Sequence, residues 1–150
     1  MTKPSFVYVT YIETSAAKVW QAIIDPEVTR QYWPGPHENV SDWQPGSSWA
    51  HRRGDVAQTV DVVGKVVEST PPQRLVMTWA RPREAETIEK HSRVTFEIEP
   101  LGDRVVRLTV IHQDLEQDSD MLKSILNGWP LVLSNLKTFL EAGRPLPRTP

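Results

Sequence analysis

Two histidines and a set of tryptophans are the residues in this chain best suited to chemistry. His112 alternates with Val110 and Leu108, so a strand there puts all three on one face. An imidazole on such a face either hydrogen-bonds a ligand or is a satisfied core group, and burial without a partner lowers its pKa. His51 follows Trp49 by two positions and shares its face by the same parity. His37 and His91 fall in or beside loops and are expected to be solvated. His112 and His51 are the candidates for a general base, and spacing reveals no orienting acid for either. No H-x-x-H or H-E-x-x-H pattern occurs and there is no cysteine, so neither a zinc site nor a thiol nucleophile is expected. Ser47 and Ser48 follow Gly46 without the G-x-S-x-G elbow, and the 7 glycines are dispersed with no phosphate loop among them. Glu97 and Glu99 alternate onto what should be an outer face and read as solubilising charges. No catalytic residue, metal or cofactor is therefore expected.

The 6 tryptophans carry the sharper signal. Each ring buries roughly 200 Å² and brings one N–H that wants an acceptor. Trp20 falls on the apolar stripe of a first helix and reads as core. Trp33 and Trp43 border turns and are placed to line a cavity mouth. Trp49, Trp79 and Trp129 fall on strand or helix faces that should point inward, where they either fill the interior or wall a pocket. Arg81, just past Trp79, is either a ligand-carboxylate anchor at the mouth or a solvated loop residue.

These side chains need elements to hold them. Phe6, Tyr8, Thr10 and Ile12 alternate with Val7, Val9 and Tyr11, which predicts a strand over 5–12. Thr14 or Ser15 caps a helix carrying Ala16, Val19, Trp20 and Ile23 at helical spacing. Asp25-Pro26-Glu27 starts a second, short helix, which Trp33-Pro34-Gly35-Pro36 must end. Six strands follow, over 40–43, 48–52, 56–67, 74–79, 92–99 and 104–113, joined by short turn-rich links that imply an antiparallel meander. Leu122, Ile125, Trp129, Val132, Leu136 and Phe139 then step by three and four along one long helix of about 23 residues. Asp118 and Asp120 suit its start and Gly143 its end, while Pro130 predicts a kink. Residues 144–150, rich in proline, read as a poorly ordered tail to a single domain over 1–143. A one-layer sheet with an apolar face needs a cover, and the long helix is the only adequate one.

Charge and composition narrow the function classes. The formal charge of −2 disfavours bulk attraction to nucleic acid or anionic membranes, and no apolar run approaches a membrane span. With no leader evident after Met1, a cytoplasmic protein, monomer or homodimer, is expected.

Certain residues in this order resemble the START/Bet v 1-like helix-grip superfamily, and within it the branch named for the C-terminal domain of the activator of Hsp90 ATPase. They are Ala17-Lys18-Val19-Trp20 with Asp25-Pro26, Tyr32-Trp33-Pro34-Gly35-Pro36, Gly46-Ser47-Ser48-Trp49, and Gly64-Lys65-Val66-Val67-Glu68 with Pro71-Pro72-Gln73-Arg74-Leu75. Met77-Thr78-Trp79, Ser92-Arg93-Val94-Thr95-Phe96, Gly128-Trp129 with Leu133, Asn135-Leu136-Lys137 and Leu140-Glu141-Ala142-Gly143 complete the set. The resemblance implies an α+β helix-grip fold, a curved antiparallel sheet of about six or seven strands wrapped around the C-terminal helix, with two short helices after strand 1. It also implies a hydrophobic cavity between sheet and helix. Together with the face parities, this makes Trp33, Trp49, Met77, Trp79, Phe96, Leu108, Val110, His112, Ile125, Trp129 and Leu133 the expected ligand-binding residues. The expected partner is an apolar or amphipathic small molecule, with no nucleic acid and no membrane. Two alternatives stand beside it: a co-chaperone-like module with a chaperone partner, which a chain of this length would have to be without a further gripping domain, and a cyclase- or hydrolase-like enzyme using a pocket histidine.

Overall fold

The alternating run at the start of the chain forms β1, Phe6–Ile12, in a computed structural model that describes residues 3–147. The Ser15 hydroxyl accepts the Lys18 N–H and caps α1, Ala16–Ile24. Asp25 does the same for α2, Pro26–Tyr32, through the Glu27 N–H, and Pro26 sits in the first turn where no donor is needed. Then come β2, His37–Ser41; β3, Ser48–Arg53; β4, Val60–Thr70; β5, Arg74–Trp79; β6, Ser92–Pro100; and β7, Val106–Gln113. α3, Asp120–Ala142, closes the order. Two single 3-10 turns, Pro82–Glu84 and Ile88–Lys90, lie in the β5–β6 connection.

All seven strands form one antiparallel sheet in the order β1-β7-β6-β5-β4-β3-β2. The ladder register lines up the inward residues: Met77 opposes Val94, which opposes His112, and Leu75 opposes Phe96, which opposes Val110. Register shifts at His51/Arg52 and at Val66/Glu68 bend the strands where the sheet curls. Gly64 lies at the tightest crossing. A Cβ there would sit 1.9 Å from the Thr78 carbonyl oxygen and 2.5 Å from Trp49 Nε1, so only glycine lets β4 pass β5 this closely.

α3 lies across the hollow. Trp129 is 3% exposed and its ring stands 5.6–6.1 Å from those of Trp79, Phe96 and His112, one on each of three adjacent strands. Asn135 Nδ2 donates to the Tyr32 carbonyl and ties the helix to the end of α2. At its far end, Lys137 and Glu141 bond the backbone of Tyr11 and Glu13 beside β1.

Several boundaries differ from the sequence expectation. β2 begins at His37 rather than 40 because its polar residues pair with β3, Glu38 holding both Arg52 and Arg30. It stops before Trp43, which adopts φ +57. β4 starts at Val60 and not at 56: Gln58 takes φ +50 and Val56 is fully exposed. The cap of α3 is Ser119, whose hydroxyl accepts the Leu122 N–H; Asp120 is in the first turn and Asp118 lies outside at φ +59. Pro130 faces solvent inside α3, which continues through it from Asp120 to Ala142. Residues 144–147 carry no helix or strand, and residues 148–150 of the expected tail lie outside the described residues.

Candidate functional site

Between α3 and the β2–β5 part of the sheet is a cleft of about 380 Å³. Its apolar wall is Trp33 from the turn after α2, Val62 from β4, Trp79 at the end of β5, and Met121, Ile125, Trp129 and Val132 from α3. The α3 residues recur at three- and four-residue steps, which is why one helix face supplies so much of the lining. Gly128 completes that face, and a Cβ built on it meets nothing within 4 Å. A mid-helix glycine costs about 1 kcal/mol relative to alanine, and no neighbour forces it here.

The polar side of the cleft is a linked set. His51 Nδ1 lies 2.7 Å from Asn39 Oδ1, and Asn39 Nδ2 donates to the Ile23 carbonyl, so Oδ1 is the acceptor and Nδ1 carries the proton. That leaves His51 Nε2 as a lone-pair acceptor with no protein donor among the described residues. The His37 ring stacks on it at 4.2 Å, and His37 Nε2 meets Asp61 at 2.9 Å. Arg53 reaches both oxygens of the same carboxylate and, as the largest cause, holds the Asp61 pKa below its usual value, with His37 adding to the effect. Arg81 bridges the cleft rim, its guanidinium on the Asp61 carbonyl and the Ser124 hydroxyl. Trp79 Nε1 is buried and has no hydrogen-bond partner among the described residues.

His112 is locked elsewhere. Trp129 Nε1, which can only donate, bonds His112 Nδ1 at 3.0 Å. The proton of His112 is therefore on Nε2, which donates to Ser92 Oγ at 2.8 Å, and the Ser92 hydroxyl in turn donates to the Trp79 carbonyl. Both ring nitrogens are used, and the residue is fully buried. Burial, as the main cause, pushes His112 and His51 each from 6.5 down to about 3. For His51, His37 and Arg81 add to the lowering and Asp61 opposes it. Both imidazoles are therefore neutral at pH 7.

Of the residues singled out from the sequence, Trp33, His51, Trp79, Arg81, Ile125 and Trp129 line the cleft. Met77, Phe96, Leu108, Val110, His112 and Leu133 pack into the core cluster beneath it, each at most 5% exposed. Trp49 packs on Trp79 at 4.9 Å, gives its N–H to the Thr78 carbonyl, and borders a separate groove with Gly64 and Lys65. Trp43 is buried in the core. His37 is not solvated as expected: it is part of β2, half-buried, and held by the His51 ring and Asp61, because pairing with Arg53 of β3 draws it into the sheet. His37, Arg53, Asp61, Ser124 and Gly128 were not singled out as site residues; Gly128, interrupting an amphipathic helix beside a tryptophan, is the one that left a signal in the sequence. Among the described residues no group of His, Cys, Asp and Glu could hold a metal ion, and no helix is long and apolar enough to cross a membrane.

A family model described as activator of Hsp90 ATPase homolog 1-like protein matches residues 13–141. No curated protein matches the sequence. Among solved structures, PFC0360w, an HSP90 activator from Plasmodium falciparum, superposes with a TM-score of 0.73 at 18% identity, over 91% of this chain and 95% of that one. The Aha1 dimer from Colwellia psychrerythraea gives 0.72 at 18% identity, over 93% and 98%. CalU16 from Micromonospora echinospora gives 0.71 at 22% identity, over 97% and 78%. At these identities the structures establish a shared fold.

Proposed function

The chain belongs to the activator of Hsp90 ATPase homolog 1-like family, and from that premise we propose that it binds an apolar or amphipathic small molecule between the sheet and α3. The observation that carries this reading is the cleft itself, about 380 Å³ with an indole-rich wall and a few convergent polar groups. That combination of size and lining is typical of small-molecule sites. His51 Nε2 would take a donor from the ligand, and the tryptophan faces would take its flat or aliphatic body.

Gly128 provides the test, because it separates the cleft from the fold. Replacing it with leucine adds a good helix former, worth about 0.5–1 kcal/mol of extra stability, and projects a side chain into the open space. The neutral fluorophore N-phenyl-1-naphthylamine is expected to bind the unmodified chain saturably with one site. Gly128→Leu should weaken that binding at least about tenfold while the urea midpoint stays level or rises. Undiminished binding in this variant would place the probe elsewhere and sink the reading.

A second reading, partnership with an Hsp90-type ATPase, is supported by the family itself. The exposed outer side of β1, with Val7, Val9 and Tyr11, offers a surface for it. Stimulation of such an ATPase by the purified chain, retained in Gly128→Leu, would favour this reading over ligand binding. Edge strands β1 and β2 leave either a monomer or a homodimer open to the same protein, and light scattering distinguishes them.

A further inference from the structure

On a chain whose formal charge is −2, the cleft wall carries two guanidinium groups, Arg53 and Arg81, against one carboxylate, Asp61. Asp61 is already occupied, its oxygens taken by Arg53 and His37. Arg81 is different. No carboxylate lies within ion-pair reach of it among the described residues, and its two bonds go to neutral acceptors at long range, 3.4 Å to the Asp61 carbonyl and 3.2 Å to Ser124 Oγ. Four acids line the recess on its other side, before α3, and none of them pairs with Arg81 among the described residues: Glu84 and Glu116 both face Lys90 at 3.8 Å, and Asp118 and Asp120 make no ion pair with it. A planar guanidinium held this loosely is suited to the forked pairing it makes best, with a carboxylate.

We propose, building on the cleft reading above, that the ligand is an amphipathic acid, with its carboxylate forked on Arg81 and its apolar body against Trp33, Trp79 and Trp129. The rest of the cleft fixes the direction. The unprotonated Nε2 of His51 repels an anion and welcomes a hydroxyl or N–H, so the acid group belongs at the Arg81 rim and any donor at the His51 end. The carboxylate would exchange the weak Ser124 and Asp61 contacts for two charge-assisted bonds.

The experiment compares 2-naphthoate with 2-naphthamide, equal in shape and different in charge, by tryptophan quenching at pH 7.5. The unmodified chain is expected to prefer the acid, and Arg81→Gln to reduce that preference at least about tenfold, the worth of one of the two charge-assisted hydrogen bonds. Arg83→Gln, a neighbouring cation that borders only the other recess, should leave the preference intact. Equal affinity for the two probes in the unmodified chain, or a preference that survives Arg81→Gln, overturns the acid assignment while leaving the cleft reading standing. Binding of neither probe overturns both.

Discussion

Trp129→Ala is expected to cost about 3–5 kcal/mol of folding stability, the range for emptying a large aromatic site in a packed interior. Trp129 stands where α3 meets the sheet, with the rings of Trp33, Trp79, Phe96 and His112 arranged around it. Truncation removes that packing and also strips His112 Nδ1 of the indole N–H that donates to it. Trp129→Phe separates the two effects. It keeps one six-membered ring in place while losing the N–H and part of the packing, and should cost about 1–3 kcal/mol, chiefly the penalty for an unsatisfied buried acceptor. Urea unfolding of both variants measures the difference. A loss under about 1 kcal/mol for the alanine variant would mean that the ring is a loose cavity wall and does not join helix to sheet.

A steep loss of stability on mild acidification is the second large effect. His51 and His112 both sit near pKa 3 in the folded chain and near 6.5 unfolded. Each is therefore neutral in the native state over a range where the unfolded chain takes up a proton. Their contribution is complete above about pH 6.5 and declines as pH falls towards 3. Between pH 7 and pH 5 the loss is about 2 kcal/mol for each histidine, or about 4 kcal/mol for the pair. Asp61 and Glu141 are held below their usual carboxylate values, so what they contribute is lost at lower pH and leaves this window to the imidazoles. Urea midpoints at half-unit steps of pH measure the slope, and His112→Phe should halve it whatever that variant does to absolute stability. A flat profile from pH 7 to 5 would show that the histidines are hydrated in the folded chain.

The part of the site legible in the sequence is the part set by a single element. Parity along β5 and the three-and-four stepping of α3 put Trp79, Ile125 and Trp129 on inward faces, and the structure shows them facing one another across the cleft. Parity also placed His112 inward, but whether an inward group meets a cavity or the core depends on how far each neighbour protrudes. His112 is sealed because Ser92, opposite Trp79 in the ladder, and Trp129 from another element converge on its two nitrogens. The cleft's polar side was hidden for a related reason. His37-Glu38-Asn39 lacks the β-branched signature of a strand and becomes one only because Glu38 finds Arg52 and His37 lies opposite Arg53. Asp61 joins His37 through the shift in register at His51/Arg52, which no local pattern announces. Val56 shows the converse: an apolar residue that looked like strand is spent on a solvent-facing loop.

The indole N–H resonances test the central claim most directly, since the 6 tryptophans report from six places. On titration of the ¹⁵N-labelled chain with N-phenyl-1-naphthylamine, the signals of Trp33, Trp79 and Trp129 are predicted to move together and saturate at one equivalent. Those of Trp20 and Trp43, which pack in the core away from the cleft, should stay in place. Shifts confined to Trp20, Trp43 or Trp49, with the three cleft indoles unmoved at saturation, would contradict the account.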